Sequence, residues 1–222
     1  MWPAGDGVCG YGGDEAPFFL DGELVMNICG RKNANFKDLT LCCTIFLWLL
    51  SAGVGWSFDK DDLEKLKTTK QCRQCDLTGA DLYKMPLEGA DLVKAKLAEA
   101  ILTGAALYDA DLTGADLTGA KLCNAKLFDA KLNNAVLVDA DLSGAKLLGA
   151  KFTGANLTRA CLIRSDLTGA DLTGANLSAA DLTRAVISHT HFKRTKLSHA
   201  IWPDGTTCNA GSIGTCQKKV SK

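Results

Sequence analysis

A five-residue repeat occupies residues 75–202 without a single insertion or deletion. Its commonest unit is Ala-Asp-Leu-Thr-Gly, found for example at residues 110–114, 115–119 and 170–174. When the unit centres are numbered 77, 82, 87 and onward to 197, 22 of the 25 centres are Leu. Two positions before each centre, 20 of the 25 residues are Ala. This period constrains the fold more strongly than local propensity does.

The period of five excludes both common regular elements for this part of the chain. A helix repeats every 3.6 residues and a strand every two, so either would scatter the Leu and Ala side chains over all faces. The chain must instead turn through a fixed angle once per unit, with Leu and Ala pointing to a shared interior. Gly and Asn tolerate the positive φ that such turns require. We therefore predict an all-β solenoid whose coils stack about 4.8 Å apart.

Residues 75–202 resemble the pentapeptide-repeat family in this uninterrupted Ala-Asp-Leu-Thr-Gly pattern. The resemblance covers 128 of the 222 residues. It implies a right-handed quadrilateral β-helix with four pentapeptides in each coil. Coils of that size give somewhat over six turns and a rod roughly 30 Å long.

The sequence before the repeat follows other rules. Residues 26–57 combine a cationic stretch, an apolar run at 39–50 and a small-residue exit, which is the layout of a secretory signal peptide ending before Phe58. An uncleaved membrane anchor is the alternative, although the run is shorter than the ~20 residues of a spanning helix. We expect residues 1–25 to be a disordered extension or to precede the functional start at Met26. A signal peptide predicts a periplasmic or secreted protein, or one of the thylakoid lumen if the source is photosynthetic.

Two short segments flank the repeat. Residues 58–74 carry early acids and late bases, with Leu63 and Leu66 three positions apart. That charge order complements a helix dipole, so we predict a short N-terminal capping helix over the first coil. Residues 203–222 follow the last unit and form a C-terminal tail.

Four cysteines lie at the two ends of the repeat. Cys72 and Cys75 form a Cys-x-x-Cys-Asp-Leu entrance, and Cys208 and Cys216 follow a Trp-Pro-Asp-Gly exit. Both ends resemble those of exported members of the family. We predict that Cys208 and Cys216 form a disulfide that closes a Gly-rich loop. For Cys72 and Cys75 a local disulfide is favoured, while a redox pair and half of a zinc site remain alternatives.

One outward column of the repeat is apolar. Tyr108, Phe128 and Leu148 each follow a centre and are 20 residues apart, so they should stack in successive coils as an exposed stripe beside Lys126 and Lys146. Exposed apolar patches of this kind usually mark interaction sites. The alternative is that stacked neighbours merely stabilise one another. Such a stripe can also serve a homodimer.

The charge of the chain is balanced overall and uneven along the repeat. The 25 basic and 25 acidic residues cancel, which excludes nucleic-acid binding through bulk positive charge. Residues 76–150 contain 11 acids and 7 bases, whereas residues 151–222 contain 4 acids and 10 bases. The late coils are therefore cationic, which favours an acidic partner or a membrane surface. The residues responsible are Arg159, Arg164, Arg184, Lys193 and Arg194. The alternative is a solvated surface with no fixed partner.

The pattern contains no arrangement typical of an enzyme or a cofactor site. His189, His191 and His199 should point outward on different faces, so they do not predict a metal site. Nine Asp residues stand just before centres and are spread over all faces, which indicates turn residues and not paired catalytic carboxylates. Nucleophile triads, phosphate-binding loops and zinc signatures are absent from the sequence. We expect no catalytic residues, no metal and no cofactor.

These observations predict a non-enzymatic exported protein that acts as a protein-binding or structural scaffold for an unknown partner. The alternative is a DNA mimic that occupies a type II topoisomerase, as the quinolone-resistance branch of the family is thought to do. That function requires a cytosolic rod with a strongly acidic surface. The neutral charge, the signal-like segment and the terminal cysteine pairs all disfavour it.

Overall fold

The solenoid is built from columns of residues that lie 20 positions apart. The structure, a computed structural model, describes residues 58–218, and the predicted segments 1–25 and 26–57 lie outside the described residues. Single parallel bridges join each coil to the next, from Gln71 and Asp91 at the start to Asp181 and Ile201 at the end. Four five-residue units therefore complete one coil. The predicted solenoid and its 20-residue coil are confirmed.

Four main-chain hydrogen bonds repeat in nearly every unit. In the unit centred on Leu127, the Leu127 N–H donates to Lys146 O at 2.7 Å and the Lys126 N–H donates to Ala105 O at 2.9 Å. The Asp129 N–H donates to Leu148 O in the next coil, and the Ala130 N–H donates back to Leu127 O to close the turn. Only one residue per unit bridges to each neighbouring coil before the chain turns. For this reason the described coils are held by isolated bridges and contain no continuous strand.

The core is a stack of Leu centres and the Ala residues two positions before them. Nearly all of these side chains are fully buried, and Phe152 takes a centre position within the same stack. The geometry of the unit already holds at Cys72, which occupies a centre, while Cys75 occupies the Ala position that follows. Trp202, five residues after the centre Leu197, occupies one more centre position at the end of the repeat. Inside the rod, burial of Leu against Leu above and below is the main stabilising contribution.

A short helix, α1 (Lys60–Thr69), covers the first coil. Asp59 caps its N-terminus by accepting hydrogen bonds from the N–H groups of Asp61 and Asp62. Leu66 is fully buried in the core. The Asp62 carboxylate accepts the N–H of Asp76 at 2.8 Å, so the helix also satisfies a backbone donor of the first coil. Within residues 58–218, no helix has the length and apolar content to span a bilayer.

The C-terminal tail turns back and pairs antiparallel with part of the last coil. Its bridges join Lys196 with Ile213 and Ile201 with Thr207. The Cys208 N–H donates to Ala200 O at 2.8 Å, and the Cys208 side chain is buried. The tail therefore covers two of the four sides at this end of the rod. The other two sides, which end at the units centred on 187 and 192, are not paired with the described part of the tail.

Candidate interaction surface

The predicted apolar stripe lies on one side of the rod, in three successive coils. Backbone bridges join Ala106 with Lys126 and Lys126 with Lys146, so the residues two positions later, Tyr108, Phe128 and Leu148, stand in one column. The rings of Tyr108 and Phe128 stack with centroids 5.2 Å apart and planes 13° apart. All three side chains of the stripe are half-buried. The stripe is less exposed than the sequence suggests because each ring covers part of its neighbour.

Two lysines flank the stripe on the same side. Lys126 and Lys146 are exposed and bridge directly to one another across adjacent coils. Neither ammonium group forms an ion pair with any residue in the described part of the chain. The surface therefore combines an apolar column with two positive charges that form no ion pair among the described residues. This combination suits an apolar segment flanked by carboxylates.

Both terminal cysteine pairs are brought together. The Sγ atoms of Cys72 and Cys75 lie at disulfide distance beneath α1, and those of Cys208 and Cys216 lie at disulfide distance in the C-terminal tail. A carboxylate oxygen of Asp62 and the two Sγ atoms of the first pair lie within 4.8 Å of one another. Binding of a metal ion there would require both thiols to be reduced, and the group offers three ligands where structural zinc takes four.

The regular aspartates stabilise turns. Each of the nine Asp residues that precede a centre accepts the backbone N–H of the residue two positions later. Asp116, for example, accepts both the N–H and the hydroxyl of Thr118 through one carboxylate oxygen. The carboxylates are spread over the sides of the rod and occupied locally. Their arrangement offers no pair poised for acid–base chemistry.

Two further groups interact across coils in ways that the sequence pattern does not single out. Arg159 donates to the Asp139 carboxylate 20 residues earlier, and this hydrogen bond holds the pKa of Asp139 below its usual value. Burial raises the pKa of the Cys161 thiol, although a hydrogen bond with Ser143 acts in the opposite direction. The two partners are 20 residues apart in the first contact and 18 apart in the second. A coil length of 20 residues therefore identifies both as contacts between adjacent coils.

The three histidines are exposed and separate. His189 and His199 occupy turns on different sides of the rod, and His191 bridges to Asp171 on a third side. Within residues 58–218 no group of three potential metal ligands includes a histidine.

Other apolar residues are more exposed than the stripe. Tyr83, Val136, Val186 and Ile213 are each exposed over more than a third of their surface. Val186 and Ile213 lie at the C-terminal end of the rod, in the last coil and the tail. The sequence pattern does not single out these two residues because neither belongs to an apolar column of neighbouring coils.

Comparison with protein families gives a match over half of the chain. The family described as Pentapeptide repeats matches in eight copies, over residues 87–127, 124–159 and 160–198. No curated protein sequence matches the chain significantly.

Several solved structures are similar to the chain. HetL, a pentapeptide repeat protein involved in heterocyst differentiation regulation in the cyanobacterium Nostoc sp. strain PCC 7120, is 37% identical over 62% of this chain, with a TM-score of 0.36. The chain spans 65% of the length of HetL. QnrB1, a plasmid-mediated fluoroquinolone resistance protein, is 18% identical over 57% of this chain and 67% of its own, with a TM-score of 0.45. A pentapeptide repeat protein from the Arabidopsis thaliana thylakoid lumen is 21% identical over 67% of this chain and 85% of its own, with a TM-score of 0.17.

Proposed function

The chain belongs to the pentapeptide-repeat family, and on that premise we propose that it is a non-enzymatic exported protein whose rod binds another protein through the stripe of Tyr108, Phe128 and Leu148. The repeated step of four units per coil supports a right-handed quadrilateral β-helix as the form of the rod. A rod of this kind holds side chains at fixed heights and sides. It is therefore suited to binding and not to enclosing a substrate.

The observation that carries the proposal is the stacked column of large apolar side chains beside two unpaired lysines. Most other positions that follow a centre carry small residues or hydroxyls. Stacking leaves part of Tyr108, Phe128 and Leu148 in contact with water, and Lys126 and Lys146 are exposed next to them. The partner we propose presents an apolar segment flanked by Asp or Glu. Burial of the stripe would drive binding, and the lysines would set its orientation.

Export is part of the proposal, and three features support it. The signal-like pattern of residues 26–57 is one of them. The other two are the cysteine pairs at the ends of the rod, Cys72 with Cys75 and Cys208 with Cys216, which we propose to be disulfides formed in an oxidising compartment. Both pairs close short loops, so each would fix one end of the repeat.

The DNA-mimic alternative requires an acidic surface along the whole rod. The described coils do not have one, because 11 acids and 7 bases in residues 76–150 give way to an excess of bases after residue 150. We therefore favour a protein partner in the exported compartment over a type II topoisomerase.

A double substitution in the stripe tests the proposal. We expect Tyr108→Glu with Phe128→Glu to abolish capture of the partner from extracts of the natural host, because two carboxylates replace the stacked rings. The matched control is Thr118→Glu with Val138→Glu, which also places two carboxylates one coil apart, but on the opposite side of the rod. Cross-linking and mass spectrometry identify the captured protein, and circular dichroism verifies that each variant is folded. Equal capture by both double variants would remove the stripe from the proposal.

A further inference from the structure

Each of the four turns of the last full coil carries an Arg or a His. We call residues 182–201 the C-terminal coil. Its four corners, which are the turn residues two positions after each centre, are Arg184, His189, Arg194 and His199. All four side chains are exposed. In the preceding coil the corresponding corners are Arg164, two glycines and an alanine. The C-terminal coil therefore carries Arg at two opposite corners of one end of the rod and His at the other two.

These charges are not compensated within the rod. The sequence contains no Asp or Glu between Asp181 and Asp204, whereas Lys193 and Lys196 add two more cations to the C-terminal coil. Arg184, Lys193, Arg194 and Lys196 form no ion pair with a residue in the range 58–218. Asp204 is already paired with Lys218. Elsewhere in the rod, cations such as Arg73, Lys96 and Arg159 do pair with carboxylates.

The same end of the rod exposes apolar side chains. Val186 in the C-terminal coil is 46% exposed and Ile213 in the tail is 59% exposed. The centres Ile187 and Phe192 are only partly buried, whereas the centres inside the rod are fully buried. The end therefore combines apolar groups with the positive charges of Arg184, Lys193, Arg194 and Lys196.

Backbone donors are also left at this end. Inside the rod, the N–H of each centre donates to the next coil, as Leu167 does to Val186 O and Leu172 to His191 O. The corresponding N–H groups of Ile187 and Phe192 have no acceptor among the described residues. These donors favour a partner that offers oxygen acceptors, and the cations around them favour an anionic one.

The distribution of the charges selects the partner. Cations at opposite corners of one coil lie on opposite sides of the rod, so a partner that binds one side meets only some of them. A flat anionic surface that approaches the end of the rod, two of whose four sides are covered by the tail, can meet cations of opposite sides together. Anionic lipid headgroups provide such a surface, and apolar side chains beside the cations can enter the interface. We propose that the C-terminal coil docks the rod end-on against an anionic lipid bilayer.

Vesicle binding by the full chain tests this proposal. We expect the protein to partition onto vesicles of phosphatidylcholine with phosphatidylglycerol more strongly than onto phosphatidylcholine alone, and increasing salt to weaken the difference. Arg184→Asn with Arg194→Asn should weaken binding to the anionic vesicles roughly 25-fold, at roughly fivefold per charge removed. Asn is chosen because it tolerates the positive φ of both corners.

The matched control removes two charges from corners near the start of the rod. Lys84→Asn with Lys94→Asn changes the net charge equally at residues with the same backbone conformation. All variants retain residues 1–57, so any membrane affinity of that segment contributes equally. We expect the control to bind within twofold of the unsubstituted chain. The proposal is overturned if the chain shows no preference for phosphatidylglycerol, which is the result expected if the partner is an acidic protein. It is also overturned if the two double variants lose binding equally.

Discussion

Every corner residue, two positions after its centre, adopts a positive φ whatever its type. All 26 corners from Gln74 to His199 do so, and only ten of them are Gly. The left-handed conformation is costly for most L-residues, because Cβ approaches the carbonyl oxygen that follows it. The main-chain hydrogen bonds of the coils hold these residues in it. Each non-glycine corner therefore adds strain that the stack of coils overcomes.

Two successive corners, Gly174 and Ala179, allow the cost of this backbone strain to be measured. Ala179 has φ +59° and is exposed, and Gly174 has φ +69° with open space where a Cβ would stand, since no other atom lies within 4 Å of that point. Ala179→Gly should therefore raise the free energy of unfolding, and Gly174→Ala should lower it, each by about 1 kcal/mol. Urea denaturation followed by circular dichroism measures both changes. If both substitutions shift stability in the same direction, backbone conformation is not the dominant cause.

The exceptions to Ala in the core also have local explanations at the residue scale. The Ser165 hydroxyl donates to Leu162 O, and the Thr195 hydroxyl donates to Leu172 O, both at 2.8 Å. A small hydroxyl therefore fits the Ala position because a backbone carbonyl lies within its reach. The sequence shows where the pattern is broken. It does not show which carbonyl accepts the hydrogen bond, because that depends on the packing of the coil.

A single coil owes its stability to the coils above and below it. Leu117 is fully buried between the centres Leu97 and Leu137, whereas Ile187 belongs to the last coil and is partly exposed. Leu117→Ala should therefore lower the free energy of unfolding by about 2 to 5 kcal/mol. Ile187→Ala should cost less, about 1 to 2 kcal/mol, since less buried surface is lost.

Chemical denaturation of the two variants measures this difference. Ser165→Ala serves as a control for core substitution in general, because it restores the commonest residue at its position and Leu162 O still accepts the N–H of residue 165. We expect its stability to stay close to that of the unsubstituted chain. Equal losses for Leu117→Ala and Ile187→Ala would contradict a stack whose interior coils are packed on both sides.

The periodic elements could be predicted from the sequence, and so could the position of the N-terminal helix, but the contacts made at the two ends could not. A five-residue period fixes the centres, the Ala positions and the corners, since each unit makes the same contacts. The contacts of α1 with Asp76, and those of the tail with Ala200, occur once each. No repetition signals them. Likewise, the stripe was predicted from its spacing, but the mutual burial of Tyr108 and Phe128 depends on how the two rings stack.

The whole rod should tolerate a change of length in steps of one coil. Deletion of residues 151–170 joins Ala150 to Asp171, leaves every column in register and retains both ends. We expect a folded protein whose urea m-value falls by about 12%, since 20 of the 161 residues in 58–218 are removed. Circular dichroism and urea titration measure the result. Deletion of residues 151–153 alone is the control, because it breaks the five-residue period and should disrupt the downstream coils.

Because each coil has 20 residues, a residue number gives the position of that residue on the rod. The number divided by 20 gives its height along the axis, and the remainder gives its angle around the axis, which we call its bearing. Removal of a single unit, such as residues 151–155, would leave the inward pattern of Leu and Ala intact. Everything downstream would rotate by a quarter turn relative to the stripe. Whole coils change only the height of a surface, whereas single units also rotate it, so the angle between two binding surfaces on this rod depends on the number of units between them.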